Sequence, residues 1–194
     1  TPFVFNLDRS RWVAGSYNWV DVPPADGAAA PRSEDYNVIE SAEPNVVLAD
    51  LDGDKKLEIL YASYDGRLHA FWLDKTEHGS WPYELDVAGQ LRFASEPVVA
   101  DLDNDGQAEV IFTTWTLKGS NTGGQLLIVS SQGTLLSAVD LPRAPSSTSG
   151  GALGAPTLAN LDADADLEVV VGTINMGLVA YDLPNTANAR VLWG

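Results

Sequence analysis

The feature that most constrains this chain is a cluster of acidic side chains that occurs three times with one spacing. The clusters begin at residues 50, 101 and 160, and an apolar stretch follows each of them. Oxygen-bearing side chains occupy the first, third, fifth and ninth positions of each nine-residue segment. Because such groups repel one another unless a cation lies between them, the pattern predicts three metal-binding loops. The side chains are Asp50, Asp52, Asp54 and Glu58; Asp101, Asp103, Asp105 and Glu109; and Asn160, Asp162, Asp164 and Glu168.

The ligand types indicate calcium. Ca²⁺ takes six to eight oxygen ligands at about 2.3–2.6 Å, from carboxylates, carbonyls and water. The chain contains no cysteine, which excludes a thiolate zinc site and disulfide bonds. Two alternatives remain open at this point: a catalytic acid–base pair, and solvated acidic turns without a metal. Three equivalent copies favour a structural role, so we predict up to three bound Ca²⁺ ions.

Composition excludes several classes of function. The net charge of −16 argues against nucleic acid, since phosphate binding needs a basic surface. No apolar run reaches the length of about 18 residues that spans a membrane. The chain begins with Thr1 and shows no signal peptide, as expected of a mature product or a piece of a longer protein. Weak calcium loops bind at about 10⁻⁴–10⁻³ M, a concentration found outside cells, so we predict an extracellular or cell-surface location.

The similarity between the three segments extends beyond the loops. A proline-introduced apolar strand precedes each loop, and a strand rich in Val and Ile follows it. A third apolar stretch and a weaker fourth, near residues 81–87, 135–141 and 190–193, complete each unit. Four strands per unit predict an all-β fold, a partial β-propeller of about three four-stranded blades with a calcium loop in the first turn of each. The predicted divisions are an N-terminal segment 1–42 and blades 43–95, 96–154 and 155–194.

The loops do not fit the EF-hand, which has its glutamate at position 12 and helices on both sides. The stretches Asp-Leu-Asp-Gly-Asp and Asp-Leu-Asp-Asn-Asp-Gly-Gln-Ala-Glu instead resemble the FG-GAP/VCBS repeats of integrin-α-type calcium-binding propellers. The resemblance covers residues 43–194. It implies that position 7 supplies a backbone carbonyl, at Lys56, Gln107 and Asp166, and that position 6 is often glycine.

The resemblance also ranks the loops. Only the second loop has glycine at position 6, Gly106, where the others have Lys55 and Ala165. The third loop begins with the neutral Asn160 rather than an aspartate. The second loop is therefore the best predicted calcium site.

Ring closure predicts a partner. Propellers close with four to eight blades, whereas this chain supplies three, and an open stack leaves strand edges unpaired. We expect another chain, or a segment missing from this one, to complete the propeller.

A ligand surface is predicted on the face opposite the metals. The insertion Thr116–Gly123 and the connector Pro142–Ala155 share that face in a four-stranded meander, and variable loops on a rigid scaffold often bind ligands. The candidate contacts are Trp115, Lys118, Asn121 and Arg143. The alternative is that these loops are ordinary solvated turns. The histidine of a predicted strand, His69, aligns with Val179, which favours a packed side chain over a catalytic base.

These observations predict a secreted, non-catalytic binding or adhesion module for protein or glycan. Two alternatives remain: the propeller scaffold of a secreted hydrolase or lyase whose catalytic residues lie elsewhere, and a structural subunit of a surface assembly. An exposed aromatic cluster would favour binding, and a cleft with converging His, Asp or Arg would favour an enzyme.

Overall fold

The computed structural model describes residues 6–10, 13–14, 17–18, 44–63, 65–74, 76–85, 92–116 and 122–193. Within these ranges all regular structure is β-strand and no helix occurs, so the predicted all-β class is confirmed. The same ranges accordingly contain no helix long and apolar enough to cross a membrane. The predicted N-terminal segment 1–42 lies largely outside the described residues.

Fifteen strands are present in the described part of the chain. The first two are β1 (Val13–Ala14) and β2 (Tyr17–Asn18), which pair with each other. The others are β3 (Val47–Ala49), β4 (Glu58–Ser63), β5 (Arg67–Phe71), β6 (Tyr83–Glu84), β7 (Arg92–Ala94), β8 (Val98–Asp101), β9 (Glu109–Thr116), β10 (Gln125–Val129), β11 (Leu135–Asp140), β12 (Thr157–Ala159), β13 (Leu167–Thr173), β14 (Gly177–Leu183) and β15 (Arg190–Trp193).

Three antiparallel sheets follow the order of the repeats. Sheet 1 is the meander β3-β4-β5-β6, and sheet 3 is β12-β13-β14. Sheet 2 has the order β11-β10-β9-β8-β15, and β7 also pairs with β9. Ser95 links β7 and β8, since its N–H donates to the carbonyl of Thr113 and its hydroxyl accepts the N–H of Thr113. The long strand β9 thus has two short strands along one side.

Strand β15 is a departure from the repeat. We expected residues 190–193 to form the fourth strand of the third unit, beside β14. The strand forms, but it pairs antiparallel with β8, with Arg190 opposite Asp101 and Val191 opposite Ala100. The preceding turn explains the change of direction, because Thr186 accepts the N–H of Leu167 and donates to the carbonyl of Leu183. These bonds hold the turn over the third loop, from which the chain leads to β8.

Sheet 2 lies between the other two sheets. Side chains of a strand alternate between its faces, so neighbouring residues of β9 enter different cores. Val110 and Phe112 pack with Leu60 and Leu68 of sheet 1. Ile111 packs instead with Val169 and Val171 of sheet 3. Burial on both faces explains the continuous apolar run in β9, and each such side chain contributes about 1.5–3 kcal/mol.

No described strand covers the face of sheet 3 that points away from sheet 2. Leu68 and Leu126 are almost fully buried in sheets 1 and 2, whereas Leu178, at the equivalent position of sheet 3, is 78% exposed. Leu161 shows the same contrast with Leu51, which is buried at the equivalent loop position of the first unit. The third unit thus carries the apolar pattern of the first two, but in the described residues a sheet packs on only one of its faces.

Candidate metal centres

Each acidic loop connects the first two strands of its sheet. The first loop (Asp50–Glu58) joins β3 to β4, the second (Asp101–Glu109) joins β8 to β9, and the third (Asn160–Glu168) joins β12 to β13. Position 1 follows or ends one strand, and the glutamate at position 9 begins or nearly begins the next. A cation held by both positions would therefore tie the two strands together.

Backbone amides organise the carboxylates in the same way in all three loops. The N–H of position 5 donates to position 3, and the N–H of position 7 donates to position 5, at N···O distances of 2.7–3.2 Å. The N–H of position 2 donates to Oε2 of the glutamate at position 9, at 2.5–2.8 Å. These bonds orient the side chains locally, as aspartates do in turns. The repeated spacing in the sequence thus becomes a repeated geometry.

The hydrogen bonds of the side chain at position 1 differ between the first two loops and the third. Asp50 accepts the N–H groups of Gly53 and Lys55, at 2.8 and 2.9 Å. Asp101 likewise accepts those of Asp105 and Gly106, at 3.0 and 3.1 Å. In the third loop the amide nitrogen of Asn160 instead donates to the carbonyl of Asp164, at 2.7 Å. Asn160 therefore already has an internal partner within the loop.

Backbone conformation accounts for this difference. Positions 4 and 6 have positive φ in the first loop, 78° at Gly53 and 72° at Lys55, and in the second, 59° at Asn104 and 91° at Gly106. The third loop has alanine at both positions, and neither has a positive φ. A left-handed conformation is open to glycine and costly for alanine. Lys55 adopts it without being glycine, so a glycine at position 6 is not required for this turn.

The carboxylates converge closely enough to share an ion. In each of the three groups, one oxygen per residue lies within 4.8 Å of the others. These oxygen-only donor sets suit a hard cation and not a soft metal. The third group includes the glutamate of position 9. The groups are Asp50, Asp52 and Asp54; Asp101, Asp103 and Asp105; and Asp162, Asp164 and Glu168.

The side chains at position 7 have other partners. Lys56 pairs with Asp54 at 2.6 Å, and the side-chain oxygen of Gln107 accepts the hydroxyl of Ser131 at 2.8 Å. The carboxylate of Asp166 accepts the N–H of Asn185 at 3.0 Å. This arrangement is compatible with the predicted use of the backbone carbonyl at this position.

Two of the glutamates at position 9, those of the first and third loops, are buried and incompletely satisfied. Glu58 is fully buried and Glu168 is 6% exposed. Each uses Oε2 to accept an N–H, while Oε1 has no hydrogen-bond partner in the structure as described. The nearest basic atom to Oε1 of Glu58 is Nδ1 of His78 at 3.8 Å, which is too long for a hydrogen bond. A buried carboxylate oxygen without a partner costs about 1–3 kcal/mol, which a bound cation would remove.

The pKa values of Glu58 and Glu109, at position 9 of the first two loops, reflect their burial. The pKa of Glu58 is raised to about 7, mainly by burial, and the charges of Asp52, Asp50 and Asp54 contribute to the rise. Burial is also the main cause of a raised pKa at Glu109. A carboxylate that is hard to ionise among like charges becomes easy to ionise beside a divalent cation.

The four predicted ligand-binding residues differ in their exposure, and the structure describes two of them. Trp115 is 2% exposed and packs on Phe93 at 5.0 Å between ring centroids, so its side chain faces the core rather than a ligand. Arg143 is half-buried and lies against Gly150 of the connector. Lys118 and Asn121 lie outside the described residues.

Close packing joins the predicted ligand loops to β9. The N–H of Thr116 donates to the carbonyl of Gly150, and that of Ala152 donates to Thr114. Asn175, in the turn between β13 and β14, donates to Ser147 and to the carbonyl of Ser149. The connector, the end of β9 and the turn between β13 and β14 therefore meet at one end. The metal loop of sheet 2 lies at the other end of β9, beside Ser131 of the third turn.

Sequence reasoning did not identify the full environment of His69. This side chain is buried, as expected, but both ring nitrogens face carboxylates, Glu77 Oε1 at 2.5 Å from Nδ1 and Asp65 Oδ2 at 3.1 Å from Nε2. Burial lowers the pKa of His69, but the hydrogen bonds to Asp65 and Glu77 outweigh burial and raise it overall. The sequence separation of His69 and Glu77 gave no signal of this contact.

A strand–loop–strand unit that occurs three times, with an acidic loop that could hold a metal ion, defines a β-repeat protein. Residues 50–112, from the first loop into β9, match the family model described as FG-GAP-like repeat. This match supports the identification of the chain as an FG-GAP/VCBS repeat protein, and such repeats are typical of propeller-type binding and adhesion modules. No curated protein and no solved structure matches the chain.

Proposed function

We propose that this chain is a calcium-stabilised module that binds a protein or glycan outside the cell. The observation that carries the calcium assignment is the partnerless Oε1 of Glu58 and of Glu168, each on a buried side chain beside converging aspartates. Asp50, Asp52, Asp54 and Glu58, with their equivalents in the other loops, would hold the ion. Calcium would supply charge neutralisation and a cross-link between the first two strands of each sheet.

The sheets are, in this proposal, consecutive blades of a propeller. Face-to-face packing of sheet 2 on both neighbours supports it, as does the position of each loop in the first turn. The uncovered Leu161 and Leu178 support the presence of a further sheet in the working protein, from another chain or another segment. Such a sheet would bury apolar area that lies in water here.

The ligand surface is proposed at the end of the sheets opposite the metal loops. Leu153 of the connector is 40% exposed, and Ile174 and Met176 of the neighbouring turn are 42% and 45% exposed. Asn175 ties that turn to the connector, which gives the surface a fixed shape. Exposed aliphatic and thioether side chains on such a support favour a protein ligand.

Thermal unfolding in Ca²⁺ and in chelator tests the calcium assignment. A ligand at 100 times its Kd stabilises the folded state by about 2.7 kcal/mol per site. For a chain of this size we expect the Tm to rise by about 5 °C or more per occupied site. Mg²⁺ at the same concentration should have a smaller effect, because it dehydrates reluctantly and needs octahedral geometry. An unchanged Tm at millimolar Ca²⁺ would remove the calcium assignment.

Screening of a glycan array and of extracellular protein panels tests the ligand surface. The double variant Ile174→Ser, Met176→Ser should abolish any binding that is found. The matched control is Leu136→Ser, which changes a 56% exposed leucine on β11. Equal loss of binding in the control, or binding that survives the double variant, would place the ligand elsewhere.

A further inference from the structure

The C-terminal residues 184–193 touch two metal loops. At one end, Asn185 donates its N–H to Asp166 of the third loop, at 3.0 Å. At the other end, the guanidinium Nη1 of Arg190 lies 3.7 Å from Oδ2 of Asp101 in the second loop. Asp101 is 2% exposed, although it belongs to a loop whose other aspartates are exposed. The strand β15 therefore brings a positive charge to the first ligand position of the second loop.

The first loop has its own positive charge. Nζ of Lys56 lies 2.6 Å from Oδ2 of Asp54, at the fifth position, and 5.6 Å from the ring centroid of Trp72. Within the described residues the third loop has no Lys or Arg paired with its carboxylates. Two loops thus have a basic side chain at a ligand oxygen, one from within the loop and one from a distant strand.

We infer that Arg190 and Lys56 are tethered cations that compete with Ca²⁺ for the second and first loops, respectively. This inference rests on the proposed calcium binding. When a divalent ion binds at an oxygen that faces a guanidinium or ammonium group, that ion pair must break, or the basic group and the ion repel each other. Each basic side chain therefore lowers the calcium affinity of its own loop and raises the concentration at which that loop fills.

The expected size of the effect is modest, because both basic groups are largely exposed. The side chains of Arg190 and Lys56 are 60% and 70% exposed, so solvent and salt screen their charges. Exposed ion pairs contribute about 0.2–1 kcal/mol, which corresponds to an affinity change of roughly 1.4- to 5-fold. The effect should decrease at high salt.

A calcium titration followed by ¹H–¹⁵N NMR resolves the two loops separately. The N–H of Gly106 donates to Asp101, and that of Gly53 donates to Asp50, so each amide reports on its own loop. Arg190→Gln should lower the Kd seen at Gly106 by roughly 1.4- to 5-fold and leave that at Gly53 unchanged. Lys56→Gln should do the reverse. The two variants remove the same charge, so each controls for the change in net charge of the other.

Arg190→Lys distinguishes charge from strand packing. It retains a positive charge at the same position, so it should leave the Kd at Gly106 within about twofold of wild type. An equal Kd in wild type and Arg190→Gln, or weaker binding in Arg190→Gln, would overturn the inference for Arg190. The corresponding result at Gly53 would overturn it for Lys56. If neither glycine amide responds to millimolar Ca²⁺ in any variant, the calcium proposal itself fails.

Discussion

At the scale of single residues, carboxylates occur in two different environments, clustered with one another in the acidic loops and paired with an imidazole at His69. The aspartates of each acidic loop converge, and burial together with the charges of Asp52, Asp50 and Asp54 raises the pKa of Glu58 to about 7. The carboxylates of Asp65 and Glu77 instead enclose the imidazole of His69. A buried carboxylate is costly unless it is paired, so the proposed Ca²⁺ would do for the first group what the imidazole does for the second.

A charged side chain of the second loop, Asp103 at position 3, and the neutral Asn160 at position 1 of the third loop predict a difference between loops. In saturating Ca²⁺, Asp103→Ala should lower the Tm by about 5 °C or more, because it removes a charged ligand and its site. Asn160→Ala should cost at most about 2–4 °C, the value of one hydrogen bond to Asp164. Differential scanning calorimetry of both variants measures this. Equal melting temperatures would contradict the ranking of the loops.

His69 predicts a pH dependence of stability. The imidazolium form can donate to both Asp65 and Glu77, whereas the neutral ring can donate only once. Because the folded-state pKa of His69 is raised, its stabilisation is fully present below the unfolded value of about 6.5 and is lost as pH rises through the folded value. His69→Gln should therefore cost about 1.5–3 kcal/mol near pH 6 and less near pH 9.

Urea unfolding at pH 6 and at pH 9 measures the free energy of unfolding of wild type and of His69→Gln. The cost of the substitution at each pH is the difference between the two proteins. Taking the difference cancels groups common to both proteins, including Glu58. A cost of the substitution that is independent of pH would show that His69 is neutral in the folded protein.

Residue spacing predicted the candidate metal ligands but not the basic side chains that lie beside them. The positions of the loop carboxylates depend on turns of a few residues, so local sequence was sufficient to predict them. The contacts of Arg190 with Asp101 and of His69 with Glu77 depend on strand pairing and on a returning loop. The burial of Trp115 depends on Phe93, in a short strand that the sequence pattern did not indicate.

At the scale of elements, the end of β9 opposite the metals is more tightly packed than its sequence suggests. The sequence of the connector Pro142–Ala155, which is polar and rich in glycine and serine, predicts a loop that would tolerate shortening. Yet Gly150, Gly151 and Ala152 are buried, and Gly151 bridges to Trp115. The connector therefore combines an exposed part, which is available to ligands, with a part that belongs to the core.

Two glycines of the connector provide a matched test of this division. Gly151 has a φ of 116°, and a Cβ there would lie 2.2 Å from the carbonyl oxygen of Thr114. Gly151→Ala should destabilise by about 2–4 kcal/mol. Gly154→Ala should change stability by no more than about 0.5 kcal/mol, because a Cβ there meets nothing within 4 Å. Chemical denaturation measures both. A small effect at Gly151 would show that the connector yields easily.

At the scale of the whole molecule, three similar units have unequal surroundings. The sequence predicted the all-β class because the periodic apolar runs and turn residues are local signals. It did not predict that the last strand would leave sheet 3 for sheet 2, since the turn at Thr186 determines that path through bonds to Leu167 and Leu183. Sheet 2 is covered on both faces as a result of its position in the stack.

Substitution of two equivalent leucines tests whether sheets 1 and 3 differ in burial. Leu68→Ala should cost about 2–5 kcal/mol, because the side chain is fully buried between sheets 1 and 2. Leu178→Ala, the same substitution at the same position of sheet 3, should cost less than about 1 kcal/mol while that face is uncovered. Guanidinium unfolding of the isolated chain measures both values. Comparable costs would show that a further part of the chain covers sheet 3.

The uncovered face of sheet 3 has a consequence for local opening. Segments with few buried apolar contacts open at a lower free energy than the global unfolding transition. Deuterium uptake in this chain should therefore be fastest along β14, which has an unpaired outer edge among the described residues, and slowest in the middle of β9. A molecule that packs on Leu178 would be detected as slower uptake in β14, before its identity or its affinity is known.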